Sequence, residues 1–354
     1  MRSVKDWRAF TASMVSVVAL MIIVGIVSPH VSIKVLENEG LFWVSLLTLA
    51  YMVARAAASI THAALYRSLS ARALGTAGLA AIVGSYALYA VSPTSTYPAI
   101  KLVEGFAAGL FWPLMQTLIV DSVDPGWRSR WMSIYFMAGA VAGYAGYAVG
   151  SLIYSVLGPS LIVWVGVAAG AVFTAAYAVI APGRGVTAER ASSPRFKEVF
   201  ADLGRVWPYV PIILLVGGVN GLMKDYLFAY TKEVTGMDEP TLRNYWSAIG
   251  YVGLALSYAL AHVQEVMGRT RAVLAVSTAL VGSSALMLVV RDPATVFAVL
   301  TATTVGLRVI RPVLRGVVSN AASRPEHGIA LVNAFSNIAA GAAPVIVAAA
   351  ASLL

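Results

Sequence analysis

A chain of 354 residues that is 59% hydrophobic and only 12% charged lies far outside the range of soluble proteins, about 45–50% apolar and about 25% charged, and its mean hydropathy of +0.79 places most of it in lipid. With no cysteine it can hold no disulfide, thiolate metal site or cysteine nucleophile. The net charge of +9 reflects the gathering of Lys and Arg in cytoplasmic loops of membrane proteins rather than nucleic-acid binding, so no nucleic-acid partner is expected.

A membrane span takes about 20 mostly apolar residues. The basic start, Met1 to Arg8, is like a signal-peptide n-region. The apolar run behind it is too long for an h-region and lacks a small-residue cleavage site, so 10–30 is read as a retained first span. Spans are predicted next at 41–63, with Arg55 toward its inner end and His62 closing it, and at 73–92. The span at 97–120 carries Lys101, Glu104, Trp112, Pro113 and Gln116; that at 131–154 carries Gly139, Gly143, Gly146 and Gly150; a sixth follows at 160–180. The polar break after it holds Arg184, Arg190, Arg195, Lys197 and Arg205, and its stretch from 194 to 207 has apolar residues at helical spacing, as in a short helix on the membrane surface. Five more spans are predicted, at 208–231 with Gly217, Asn220, Lys224 and Asp225, at 243–263, at 270–290, at 294–319 and at 328–352.

The two sets repeat. Val83-Gly84-Ser85-Tyr86-Ala87-Leu88 in the third span is echoed by Val281-Gly282-Ser283-Ser284-Ala285-Leu286 in the ninth, His62 and His262 each end the span before, and Pro113 and Pro312 sit at matching places in the span after. Parallel repeats of membrane helices are the usual build of a secondary transporter, with its site between the halves near the bilayer midplane. The fold class is therefore all-α, a polytopic helical membrane protein with an amino-terminal half at 1–181, a cytoplasmic linker at 182–207 and a carboxy-terminal half at 208–354. With the amino terminus inside, fifteen Lys and Arg fall in inner loops and four (Lys34, Lys232, Arg243, Arg291) in outer ones, which orients the chain with its amino terminus cytoplasmic in a cell membrane.

At Lys101-Leu-Val-Glu104-Gly105-Phe-Ala-Ala-Gly109 the chain resembles the major facilitator superfamily, whose fourth span reads R-x-x-Q-G-x-G; Lys replaces the Arg and Glu the Gln. The run Ala261-His-Val-Gln-Glu265-Val-Met-Gly268-Arg269 is similar to that family's G-x-L-x-D-R-x-G-R gating loop, with Glu for Asp, Ala for the first Gly and Val for the first Arg. The equivalent loop of the first half, with Arg67, has lost both the Asp and the loop Gly. The resemblance implies two six-helix halves, a cavity lined by the first, fourth, seventh and tenth spans, and gating roles for Glu265, Gly268, Arg269 and Arg67. The family has twelve spans and this chain shows about eleven, which implies a lost last helix or a truncated sequence. The glycines of the fifth span resemble the family's antiporter motif without its Gly-Pro step, and close helix packing by small faces is the preferred reading of them.

Ionisable groups at depth are costly and mark function by default. In the tenth span Thr301, Thr304, Arg308, Arg311, Arg315 and Ser319 fall within about an 80° arc at 100° per residue. Counted from Pro293, Arg308 lies roughly 22 Å deep, Arg311 about 27 Å and Arg315 about 33 Å, so Arg315 reads as an interfacial anchor and the other two as binding groups. Trp112 and Gln116 share a face of the fourth span, and Gly217, Asn220 and Lys224 a face of the seventh. Six buried basic groups against two acids call for anionic company, and the planar Arg fork suits carboxylate or phosphate.

The resulting expectation is a monomeric secondary transporter that moves a small organic or phosphorylated anion by alternating access. Arg308, Arg311, Thr304, Trp112, Gln116, Asn220 and Lys224 would bind it, and Glu104 or Asp225 would be the site of proton coupling. Lys101 and Glu104 can pair across one helical turn, and Asp225 is placed to neutralise an arginine of another helix. Two other readings compete. An efflux pump for lipophilic drugs predicts an aromatic, acid-lined cavity. A transport-inactive scaffold or sensor predicts Arg308 and Arg311 paired with Asp225 and Glu104 and no accessible cavity. No metal constellation, cofactor motif or serine nucleophile with a base points to an enzyme, and His30, His62, His262 and His327 sit at span ends, where interfacial placement is the default.

Overall fold

The computed structural model describes residues 4–183, 201–323 and 325–351; the side chains at 59–64, 66–68, 129, 261, 263–265, 267, 325, 326 and 329 fall outside the description. The linker residues Arg184, Arg190, Arg195 and Lys197, and the first part of the expected surface helix, lie outside the described residues, and only one helical turn, Leu203–Val206, is described there. Helices make up nearly all the rest. In order they are α1 (Trp7–Glu39), α2 (Leu41–Ser68), α3 (Ala71–Val91), α4 (Tyr97–Asp121), α5 (Arg128–Leu157), α6 (Pro159–Ile180), α7 (Val210–Leu222), α8 (Tyr226–Thr235), α9 (Glu239–Met267), α10 (Thr270–Gly282), α11 (Pro293–Ala321) and α12 (Pro325–Ala351).

Among the described residues ten helical stretches are long and apolar enough to cross a membrane. The eighth predicted span is met by α9, 29 residues long, whose Arg243, Asn244 and run of Tyr, Trp and Ser leave it less apolar than those ten. Helices start where side chains can satisfy the first N–H groups: Asp6 accepts from Arg8 N and Ala9 N at α1, Ser70 from Ala73 N at α3, and Asp292 from Thr295 N at α11. Gly40 and Gly158, with φ of 87° and 84°, turn the chain between α1 and α2 and between α5 and α6 with a single residue.

Two elements differ from the expectation. The first helix runs 33 residues to Glu39, through Pro29 and His30, and His30, expected at an interface, lies against a carboxylate described below. The seventh span is broken at Met223–Asp225 into α7 and α8, where the apolar composition gave no sign of a stop. The repeated Val-Gly-Ser motif also diverges: α3 runs on as α-helix to Val91, whereas after Gly282 the second copy tightens into a 3₁₀ segment, Ser283–Leu288.

Within the first six helices, α1 packs on α5, α2 on α4, and α3 on α4 and α6; in the rest, α7 packs on α12, α10 on α11, and α9 on α11. Two interfaces join these sets, α5 against α9 and α2 against α12, while the short α8 touches α1 and α2. Outward-facing Val91, Val156, Val172, Val179 and Val289 are largely exposed, as a lipid-facing surface requires.

The glycine stripe of α5 is a packing surface. A Cβ on Gly146 would come within 2.4 Å of the Ile22 carbonyl oxygen, and one on Gly25 within 2.5 Å of the Gly143 carbonyl oxygen, so α1 and α5 touch backbone to backbone. Gly146→Val is expected to destabilise the protein by at least about 1–3 kcal/mol, the usual range for overpacking, while Gly84→Val, in open space, should leave the melting temperature unchanged.

Candidate functional site

The polar stripe of α11 opens on a cavity of about 880 Å³ between the two sets of helices. Arg308, Arg311 and Arg315 recur at three- and four-residue spacing on one side of α11, while its opposite side, at Gly306, lies against the Ser277 carbonyl of α10. Of the residues expected to bind solute, Arg308, Arg311, Thr304, Trp112, Gln116 and Asn220 all line this cavity, joined by Arg55 and Tyr144; Lys224 does not. The lining reaches Met132, near the start of α5, and Arg311 is exposed although it lies mid-helix, so the cavity opens toward the end of the bundle that carries the amino terminus.

Each arginine is positioned by a neutral partner. Arg308 Nη2 donates to the Tyr144 hydroxyl at 2.5 Å with its guanidinium 5.2 Å from that ring. Arg311 Nη1 donates to Asn220 Oδ1 at 3.2 Å, and Arg315 Nη2 to Asn333 Oδ1 at 3.2 Å. Among the described residues no carboxylate lies within 4 Å of any of the three, and Arg308 Nε is buried with no hydrogen-bond partner. Thr304 donates to Leu300 O of its own helix, leaving its lone pairs to the cavity. Such a surface can take up an anion, because charge-assisted donors are fixed and lack a competing carboxylate.

Beyond the cavity floor lies a buried cluster of four charges. Lys101 Nζ pairs with Glu104 Oε2 at 2.9 Å, and the Tyr89 hydroxyl donates to the same oxygen at 2.9 Å. Gly105 and Gly109 bring α4 onto the α2 backbone, a Cβ on Gly105 falling 2.4 Å from the Tyr51 carbonyl oxygen. The Tyr51 ring there meets the ammonium groups of both Lys101, 5.8 Å from its centroid, and Lys224, 2.8 Å from it. Among the described residues Asp225 pairs with no arginine. The break between α7 and α8 turns it to accept from Ser32 Oγ of α1 at 3.1 Å and Thr48 Oγ1 of α2 at 3.0 Å, with Lys224 Nζ 3.9 Å away. The same break carries Lys224 off the face it was expected to share with Asn220.

At the far end the two sets are latched. Arg243, expected in an outer loop, is fully buried at the start of α9: its Nε and Nη2 donate to Glu239 Oε1 at 2.9 and 2.6 Å, and its Nη1 to the carbonyls of Gly25 and Ile26 on α1 at 3.3 and 2.9 Å. His30 Nδ1 lies 3.0 Å from Glu239 Oε2, Ser151 Oγ donates to Pro240 O at 2.9 Å, and Lys232 pairs with Glu37. The guanidinium fits because Gly150 has no side chain; a Cβ there would sit 2.4 Å from Nη1. Sequence reasoning missed this latch, although Glu239 and Arg243 are spaced i,i+4 at the head of a helix.

Of the expected gating residues, Gly268 adopts φ 61° between α9 and α10, a conformation that favours glycine, and Arg269 is exposed; the side chains of Arg67 and Glu265 lie outside the described residues. At the amino-terminal end Asp202 accepts from Ser323 N at 3.1 Å, Ser323 Oγ at 2.5 Å and His327 Nδ1 at 2.9 Å, tying the linker to the entry of α12. The Ser323 hydroxyl, helped by His327 and Arg205, holds the Asp202 carboxyl below the usual carboxylate range. A depressed carboxylate stabilises the fold above its unfolded pKa, about 3.9, and loses that contribution as pH falls through its folded value. Melting temperature is therefore expected to fall more steeply below about pH 4 in the native chain than in Asp202→Asn, the difference between the two curves isolating this residue.

A sequence profile of the Major Facilitator Superfamily matches residues 8–344. No curated protein sequence matches the chain. Among solved structures, that of the nucleoside transporter NupG superposes with a TM-score of 0.76 at 12% identity, covering 96% of this chain and 89% of that one. A bacterial homologue of the human lysosomal transporter Spinster, inward-facing and occupied, gives 0.76 at 13% identity, over 96% and 81%. A mutant of the peptide transporter POT in complex with sulfate gives 0.68 at 14%, over 96% and 87%. At such identities the likeness is one of fold. With the profile running over nearly its whole length, the chain belongs to the Major Facilitator Superfamily and is a multi-pass membrane transporter rather than an enzyme.

Proposed function

We propose that this transporter carries a small organic or phosphorylated anion by alternating access between the halves 1–181 and 208–354, as a monomer in the cell membrane with its amino terminus cytoplasmic. The observation that carries the reading is the set of Arg308 and Arg311 on an open cavity with no carboxylate within 4 Å among the described residues. A transport-inactive scaffold would need those arginines paired and the cavity closed. A pump for lipophilic cations would need acids where Arg308, Arg311 and Arg315 stand.

Proton coupling is part of the proposal. Asp225 is supplied by the broken helix of the second half and held by Ser32 and Thr48 of the first, so a proton on it would weaken the hold between halves. Glu104, tied to Lys101 and Tyr89 within the first half, is the second candidate. The test is purified protein in detergent, its melting temperature followed against matched panels of small carboxylates, phosphates and organic cations. A bound ligand at 100 times its Kd stabilises the native state by about 2.7 kcal/mol. Stabilisation by one anion class and by no cation is the expected result; stabilisation by lipophilic cations alone would overturn the reading. For anions that do bind, uptake into liposomes driven by an inward proton gradient, and its loss in Asp225→Asn, checks the coupling.

A further inference from the structure

A second concavity, of about 1020 Å³, lies beside the central one on the outer surface between α5, α9 and the inner half of α11. Its walls are apolar: Phe136 and Met137 of α5, Tyr251, Leu254 and Tyr258 of α9, and Val313 of α11. Tyr258 is 75% exposed, Met137 50% and Phe136 49%, so this face meets lipid tails. The two concavities share Ser133, Phe136, Arg308 and Pro312. They therefore adjoin along these four residues, and Arg308 lines both the central cavity and the lateral groove. Thr270 and Asn320 mark the other end of the groove, at the amino-terminal ends of α10 and the last turn of α11.

Resting on the anion reading above, we infer that the solute is a single-chain anionic amphiphile that enters sideways between α5 and α9, its head on Arg308 and Arg311 and its tail left in the Phe136–Tyr258 groove. Charge and shape both select this occupant. A water-soluble anion needs only the central cavity and leaves the lateral opening without a use. A neutral lipid has no call on two arginines that have no carboxylate within 4 Å among the described residues. Arg308 lies near mid-membrane on α11, and beside it the groove opens sideways at Phe136, Met137 and Tyr258, at the depth where lipid tails lie, while Thr270 and Asn320 close its interfacial end. A tail on Phe136, Met137 and Tyr258 stays at the depth of the surrounding lipid tails, and the charged head is the part that meets fixed donors.

The probe is a dodecyl phosphate with a diazirine at the chain end, applied to the protein in nanodiscs of zwitterionic lipid, with ethyl phosphate as a tail-less competitor. Photolabelling is expected on the peptides holding Phe136–Met137 and Leu254–Tyr258. It should be suppressed by excess ethyl phosphate and be lost in Arg308→Gln. Ala255→Trp, which fills the groove from its lipid-facing wall, should weaken dodecyl phosphate at least tenfold and leave stabilisation by ethyl phosphate unchanged; Val313→Trp provides a second block should Ala255→Trp not fold. Labels confined to the central cavity, or tail labelling that persists in Arg308→Gln and so reports partition onto the lipid-facing surface, would overturn the lateral entry while leaving the anion reading intact. Failure of ethyl phosphate and of every other small anion to stabilise the native protein would overturn the anion reading itself.

Discussion

Arg308→Gln and Arg311→Gln are each expected to lose anion binding by tenfold to a hundredfold, the equivalent of about 1.5–3 kcal/mol for a hydrogen bond to a charged group, with little loss of fold. Among the described residues neither guanidinium makes an ion pair: Arg308 rests on the Tyr144 hydroxyl and Arg311 on Asn220 Oδ1, neutral contacts that Gln replaces cheaply. Arg308→Lys should not restore binding, because an ammonium cannot offer two parallel donors to one carboxylate or phosphate. Arg315→Gln is the control. It lies about a turn nearer the surface and is held by Asn333, so its loss should be several-fold smaller. Isothermal titration with the anion that stabilises the native protein reads all four variants, and an unchanged Kd in Arg308→Gln would remove the arginines from the site.

The second large effect is at Arg243. Replacing it by Met leaves Glu239 buried with His30 as its remaining side-chain partner and frees the Gly25 and Ile26 carbonyls, a loss of about 3–5 kcal/mol for the closed far end. The cost arises from the stranded carboxylate. The double variant Arg243→Met with Glu239→Leu should therefore recover much of the melting temperature, since replacing both members of a buried pair by apolar residues is often neutral. The natural absence of cysteine makes the gate directly readable. A single Ser151→Cys, beside the latch, should react with an impermeant maleimide at least tenfold faster in Arg243→Met than in the native background. Equal labelling rates would show that Arg243 supports the fold without closing the gate.

The helical membrane fold and the repeat were legible in the sequence because both rest on period and composition, which survive without knowledge of contacts. The arginine stripe of α11 was legible for the same reason: three charges at helical spacing can avoid lipid only by sharing a cavity. The latch was not. Glu239 and Arg243 stand at a helix start, where charges are ordinarily solvated, and what buries them is the empty space at Gly150 and two backbone carbonyls more than 200 residues away. The break at Met223–Asp225 was hidden too, since the partners it gives Asp225, the hydroxyls of Ser32 and Thr48, stand on other helices. Local sequence carries such features only as an anomaly of polarity, without the partner that resolves it.

The latch at Arg243 has one further consequence, in how the two faces of the membrane experience the same pair of arginines. On the proposed reading, with the far end closed a solute on the amino-terminal side would meet a ready site. One on the opposite side binds only the fraction of molecules whose latch has opened, and its dissociation constant is raised by the inverse of that fraction. A bias of about 3 kcal/mol leaves the open form near one molecule in 160, so half-saturation from the two sides should differ by about two orders of magnitude. The equilibrium distribution of solute is untouched. What would change is the concentration at which each direction of transport saturates, so on the proposed reading a single buried side chain far from the cavity would make the carrier kinetically one-sided.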